Sequence, residues 1–145
     1  MKRILAVLAF AAGSVQAQQP QPPLPTVQLN AGMHLIHAEV AADFTTRAQG
    51  LMYRESLGPN AGMLFIFDEP AIHCMWMKNT LIPLSVAFID PSGVILNIAD
   101  MQPQTEQSHC AAKPALLALE MTRGWFAQHG IKPGAKLGGL EKLRR

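Results

Sequence analysis

Lys78, Asn79 and Thr80 follow directly on a largely apolar run, Ile72-His73-Cys74-Met75-Trp76-Met77. An ammonium group at the end of such a run needs a carboxylate, backbone carbonyls or a ligand. One chemistry these residues could perform is capture of a small anion. Lys78 would supply charge, Asn79 and Thr80 would orient the ligand as donors, and Trp76 would form a wall. Arg47 and Arg54 stand seven residues apart and would share a face if one helix carried both, so they could converge on the same pocket. The other reading is architectural. Asn79 and Thr80 would then satisfy backbone groups where the chain turns, and Lys78 would snorkel or pair with an acid.

Sulfur and imidazole offer different chemistry. If 72–78 is a strand, His73, Met75 and Met77 share one face, a soft ligand set suited to Cu(I) or Ag(I). Met33, His34, His37, Met52 and Met63 could add to it. Methionines at strand spacing also serve as ordinary core filler. Nucleophilic catalysis is poorly supported. His73 and His109 adjoin Cys74 and Cys110, but neighbours on a strand face opposite ways. There is no Gly-x-Ser-x-Gly, no His-Glu-x-x-His and no phosphate-cradling glycine loop. Glu55, Asp68, Glu69 and Asp90 read as loop or turn residues, so no paired-carboxylate site can be argued. The chain reads as a binding domain rather than an enzyme, and no cofactor is expected.

The elements that must position these residues are mostly strands. Thr26 to Val40 reads as a hairpin turning at Asn30-Ala31-Gly32. Asp43 or Thr45 can cap a short helix running to about Met52, and Gly50 within it implies close packing against another element. Met63–Phe67, Ile72–Lys78 and Leu81–Ile89 are apolar runs bounded by turn residues. Asp90-Pro91-Ser92-Gly93 is a strong turn that returns the chain as a partner strand, Val94–Ile98. The segment 101–113 is a long loop, 115–121 a strand, 123–129 a helix ended by Gly130, and 135–140 a last strand. Strands outnumber helices and do not alternate with them. The expected fold is mainly β: a curled, antiparallel, barrel-like sheet with two short helices packed on it.

Five words occur in order: Arg47-x-x-Gly50-Leu51-Met52-Tyr53-Arg54, Gly62-Met63-Leu64-Phe65, Trp76-Met77-Lys78-Asn79-Thr80, Ile82-Pro83-Leu84 and Phe88-Ile89-Asp90. In this the chain resembles the domain of unknown function 192 family. The resemblance covers essentially everything from residue 26 onward and implies a small, often secreted, β-rich domain. It brings no agreed activity. The chain departs from the family at Ser85, where an aspartate is common, at Met75, where an aromatic is usual, and at Ala135, where an acid is often found.

The remaining features concern compartment. Lys2 and Arg3, the apolar run Ile4–Ala12 and the small residues of Val15-Gln16-Ala17 read as a cleaved signal peptide over residues 1–17. The run is too short to span a bilayer as a stable helix. Residues 18–25, Gln-Gln-Pro-Gln-Pro-Pro-Leu-Pro, read as a flexible polyproline-like leader. A single domain over 26–145 follows. The chain has 145 residues and a formal net charge of +2, with several cations at its ends, so nucleic-acid binding is poorly supported. Two cysteines in an exported chain suggest a Cys74–Cys110 disulfide, closing a loop of about 37 residues. The expectation is a periplasmic or secreted domain with no membrane span after cleavage. Its partner would be a small anionic ligand or an envelope protein.

Overall fold

The structure is a computed structural model that describes residues 18–144; the segment 1–17, expected from the sequence to be a signal peptide, lies outside the described residues. The hairpin forms first. β1 (Thr26–Ala31) pairs antiparallel with β2 (His34–Ala41), so the reversal falls at Gly32-Met33, one step later than the turn signal implied. Gly32 takes φ +58°, which a residue without Cβ adopts at little cost. α1 (Phe44–Gln49) starts at Asp43, whose carboxylate accepts from the Thr46 amide while the Thr46 hydroxyl faces the Asp43 amide.

α1 is only six residues long and stops at Gly50, not Met52. Gly50 leaves the helix at φ +50°, and a Cβ there would meet the Phe65 ring at 3.2 Å. The close packing expected of this glycine is therefore present, but at the helix terminus. Arg54 consequently lies outside α1, and the shared helix face proposed for Arg47 and Arg54 does not exist.

β3 (Ala61–Ala71) runs parallel to β2, the one parallel pair in the sheet, because α1 and the following loop carry the chain across between them. β5 (Leu84–Ile89) and β6 (Ile95–Met101) form the expected hairpin across Asp90–Gly93, and β8 (Ala115–Thr122) pairs with both β3 and β5. The short α2 (Trp125–Gln128) follows, then β9 (Leu137–Gly138) on the edge of β1, and a closing 3-10 turn. The seven strands lie in the order β6-β5-β8-β3-β2-β1-β9. At one end the two edges meet. Val94 bridges Lys136, the Ile95 amide donates to the Ala135 carbonyl at 2.8 Å, and Gly134 donates back to Ile95 at 2.8 Å. The expected curled, barrel-like β-rich fold is the observed one.

Period-two alternation divides the side chains between two cores. One draws Leu29, Ile36, Leu64, Ile89, Leu119 and Phe126, together with Ile95 and Leu137 from the opposite edges, so it fills the inside of the curl. The second lies on the outer face of β3, β5 and β8, from Met63, Phe65, Leu84, Val86, Phe88 and Ala118, and is covered by Leu51, Met77 and Met101. With both faces covered, all six residues of β5 are buried.

The cover over the outer core departs most from expectation. The run 72–78 is not a strand. Only β4 (Cys74–Met75) is extended, and it pairs with β7 (His109–Cys110) in a separate two-stranded sheet joined by the Cys74–Cys110 disulfide. The chain then turns: Thr80 donates to the Met77 carbonyl at 3.1 Å, and Asn79 sits at φ +54°. Asn can adopt this left-handed conformation more readily than most residues. Residues 18–25 hold no helix or strand, as their prolines require, yet they are docked. The Gln21 side chain is buried and donates to two carbonyls at the end of α1, that of Thr46 (3.1 Å), which also accepts from the Gly50 amide, and that of Gly50 (2.9 Å). Leu24 donates to Glu39 at 2.7 Å.

Candidate functional site

Between α1 and the 74–80 segment, above the outer face of β3 and β8, lies a cavity of about 260 Å³. Its walls are mostly apolar: Leu51, Met52, Phe65, Phe67, Met75 and Trp76, with Phe44 at the mouth. Each has a local reason to be there. Gly50 lets the chain drop from α1 so that Leu51 reaches the outer core. β3 alternation sends Phe65 and Phe67 to that same face. The disulfide holds β4, with Met75 and Trp76, over the opening.

Glu120 also lines this cavity. On β8 it shares a face with Ala118, and its cross-strand neighbours are Met63 on β3 and Val86 on β5, both fully buried. Glu120 is 3% exposed. Burial pushes its carboxyl up to about 8, and no hydrogen bond or cation acts on it to offset that. At neutral pH the floor of the cavity is therefore a protonated acid, able to donate one hydrogen bond. Thr80 is the other buried polar residue on the wall; its hydroxyl donates to the Lys78 carbonyl at 3.1 Å and keeps its acceptor capacity.

The residues singled out in the sequence divide around this cavity. Arg47, Trp76 and Thr80 line it; Arg54, Lys78 and Asn79 do not. The three cations do not converge. Arg47 bonds to the carbonyls of Ala42 (2.6 Å) and Ile66 (2.8 Å) and pairs with Asp68 at 3.2 Å. Arg54 grips Glu39 through two bonds, at 2.9 and 3.0 Å. Lys78 is 48% exposed, lies 3.9 Å from Glu106, and sits over the Trp76 ring at 5.3 Å. The Asn79 carbonyl accepts from Tyr53 at 2.9 Å, tying the two segments together.

The soft-metal set is dispersed for the same reason that the strand is lost. Met77 is fully buried in the outer core, Met75 lines the cavity, and the His73 ring stacks on Phe67 at 3.7 Å with Nε2 against the Glu69 carbonyl. Among the described residues no group of three His, Cys, Asp or Glu could hold a metal ion. A second hollow, of about 290 Å³, lies beside α2 and is lined in part by Ser85. Its polar groups satisfy each other: Ser85 donates to Asp100 and accepts from the Gly124 amide at 3.0 Å.

Arg54 illustrates how much these ion pairs matter to folding. The pair with Glu39 is mostly buried, and Glu39 also holds the Leu24 amide. Arg54→Ala leaves that carboxylate without its partner and is expected to cost about 3 kcal/mol. Urea unfolding measures the loss, and Glu39→Gln in the same chain is expected to recover part of it.

Sequence reasoning missed Glu120, Phe65 and Phe67 as site residues. A signal for the first was present. Glu120 interrupts the apolar run Ala115–Met121, the same kind of anomaly that drew attention to Lys78.

A family model described as DUF192, "Uncharacterized ACR", matches residues 26–139. No curated protein matches the chain. Similar crystal structures include the following two. A protein of unknown function from Novosphingobium aromaticivorans DSM 12444 shares 35% identity with a TM-score of 0.77, covering 91% of this chain and 99% of its own. A protein from Sinorhizobium meliloti 1021, provisionally labelled a transcription regulator, shares 37% identity with a TM-score of 0.74, covering 79% of this chain and 92% of its own.

Proposed function

The chain belongs to the DUF192 family, and from that premise we propose that it is an exported domain that binds a small organic molecule in the cavity over Glu120. The observation that carries this reading is the carboxyl on the cavity floor. A buried carboxyl with no donor or cation beside it opposes folding, and apolar sites that hold such groups are commonly binding or catalytic. The aromatic and thioether walls suit an apolar ligand body, and few but well-placed polar groups are typical of such pockets. Trp76 and Phe44, 46% and 80% exposed at the mouth, extend the contact surface. Export is supported by the disulfide, which persists in an oxidising compartment. Among the described residues no helix is long and apolar enough to cross a membrane.

The anionic ligand suggested by Arg47, Arg54 and Lys78 is less well supported than an occupant that meets Glu120, because each of those cations already faces a carboxylate. For the same reason a nucleic-acid role is not proposed: these residues form no free basic strip.

The test uses the domain from residue 18 onward with methyl-labelled methionines. Met52 and Met75 line the cavity, whereas Met33 is 95% exposed and far out on the β1–β2 turn. A small-fragment library is expected to contain compounds that shift Met52 and Met75 but not Met33. Ala48→Trp, which fills the mouth from an exposed position on α1, is expected to abolish those shifts. A library that leaves Met52 and Met75 unmoved would remove the proposal.

A further inference from the structure

We infer that the cavity selects an organic ammonium ion carrying an apolar or aromatic arm, with its charged head on the Glu120 carboxyl. This rests on the reading of the cavity as a ligand site and specifies what the site takes. The geometry has three parts. The acid is at the floor, between Met63 and Val86, so a ligand must enter head first to reach it. The walls above it include Phe65, Phe67 and Trp76, and ring faces attract a cation within about 6 Å. His73 covers one face of Phe67 and Lys78 one face of Trp76, so a bound cation would meet Phe65 and the opposite faces of the other two. The hydroxyl oxygen of Thr80 on the wall is an acceptor for an ammonium N–H, since its own hydrogen is donated to the Lys78 backbone carbonyl.

The charged groups around the site fit this choice. Besides Glu120, the cavity's charged lining residue is Arg47 on α1, and its guanidinium is held at the rim by Asp68 and two carbonyls. The cross-strand partners of Glu120 on β3 and β5, Met63 and Val86, carry no charge. On the covering segment, Lys78 does not line the cavity; its ammonium lies over the Trp76 ring at 5.3 Å and 3.9 Å from Glu106. An anion would meet a neutral acid at the floor and a guanidinium that is already neutralised. An ammonium would convert that acid to a carboxylate and pair with it.

The exchange balances. The protonated Glu120 releases its proton to solvent as the ammonium binds, leaving a carboxylate–ammonium pair of zero net charge inside the cavity. Binding therefore strengthens as pH rises toward the carboxyl's own range, by about tenfold per pH unit, and levels off above it.

Benzylammonium, benzyl alcohol and benzoate present one ring with a cationic, neutral or anionic head. Titration calorimetry of the domain at pH 7 is expected to show benzylammonium binding at least tenfold tighter than benzyl alcohol, with benzoate weakest. In buffers of different ionisation enthalpy it is expected to report about one proton released per ligand. Glu120→Gln is expected to erase the preference for the cation while benzyl alcohol still shifts the Met52 and Met75 methyls. Benzylammonium binding no tighter than the alcohol, benzoate binding best, or an unchanged preference in Glu120→Gln would each overturn the inference. Fragments that shift Met52 and Met75 in the presence of such a result would leave the cavity as a site for another ligand class. The absence of any such fragment would remove the cavity reading itself.

Discussion

Raising the pH from about 5 to about 8.5 should lower the melting temperature of the empty domain, and Glu120→Gln should remove most of that fall. The carboxyl sits at about 8 in the fold against an ordinary value of 4.5. Between those values the folded chain holds a proton that the unfolded chain releases. Stability is then complete below about 4.5, declines as the pH climbs, and is lost once the folded carboxyl ionises. A shift of this size corresponds to a few kcal/mol, on the order of 3–5, at the alkaline end. For a domain of this length that is a difference on the order of 10 °C. Glutamine keeps the shape and a donor without the charge, so its melting curve should be nearly flat over the same window. Calorimetry of both proteins across the range is the measurement. Parallel declines would mean that another group controls the pH dependence.

Replacing both cysteines with alanine should lower stability by about 3–4 kcal/mol, because the bond between Cys74 and Cys110 closes a loop with a sequence separation of 36. Both residues are exposed, so a reductant should produce the same loss in the wild type. The effect should not be spread evenly. Cys74 lines the cavity, and β4 and β7 are two-residue strands with little else to hold them together. Without the crosslink the covering segment is retained by the burial of Met77 and by bonds such as Met77 N–H to the Thr105 carbonyl (3.0 Å). Hydrogen exchange should therefore accelerate most at 73–77 and 109–111, while β5 and β8 keep their protection. Uniform acceleration would show that the disulfide supports the whole sheet and not the wall of the cavity.

Much of the fold is written locally. The β5–β6 hairpin follows from Asp90–Gly93, where the Asp90 carboxylate accepts from the amides of Ser92 (2.9 Å) and Val94 (3.0 Å). The start of α1 follows from Asp43 and Thr46, and the strand at β8 from the short helix that follows it, since its leucines suit either state. What was not legible depends on tertiary partners. The run 72–78 has strand-like composition, but its apolar residues serve a cover. Met77 drops into the outer core, Met75 and Trp76 wall a cavity, and the positive φ of Asn79 ends the extension. Hydrophobic pattern alone does not distinguish a strand from a buried loop. The leader is similar. Its composition correctly excludes helix and strand, but nothing local reveals that Gln21 will close off the end of α1.

The site was legible in part. Trp76, Thr80 and Arg47 are on its wall, and the disulfide beside it was expected from the compartment. The convergence of cations failed because it assumed a helix long enough to carry both arginines, and Gly50 ends that helix after six residues. The acid that defines the floor is inconspicuous in the sequence because leucines dominate β8 around it. Its importance depends on which strands flank it, and the register that places Met63 and Val86 on either side is a property of the sheet.

The protonation state of one side chain defines the site, and carbon-detected NMR of the labelled Glu120 carboxyl reads it directly. In the domain without added ligand, its carboxyl resonance should titrate with a midpoint near pH 8 and move to the ionised position when benzylammonium is added at pH 7. A midpoint near 4.5, with no response to the cation, would contradict both the buried neutral acid and the site built around it.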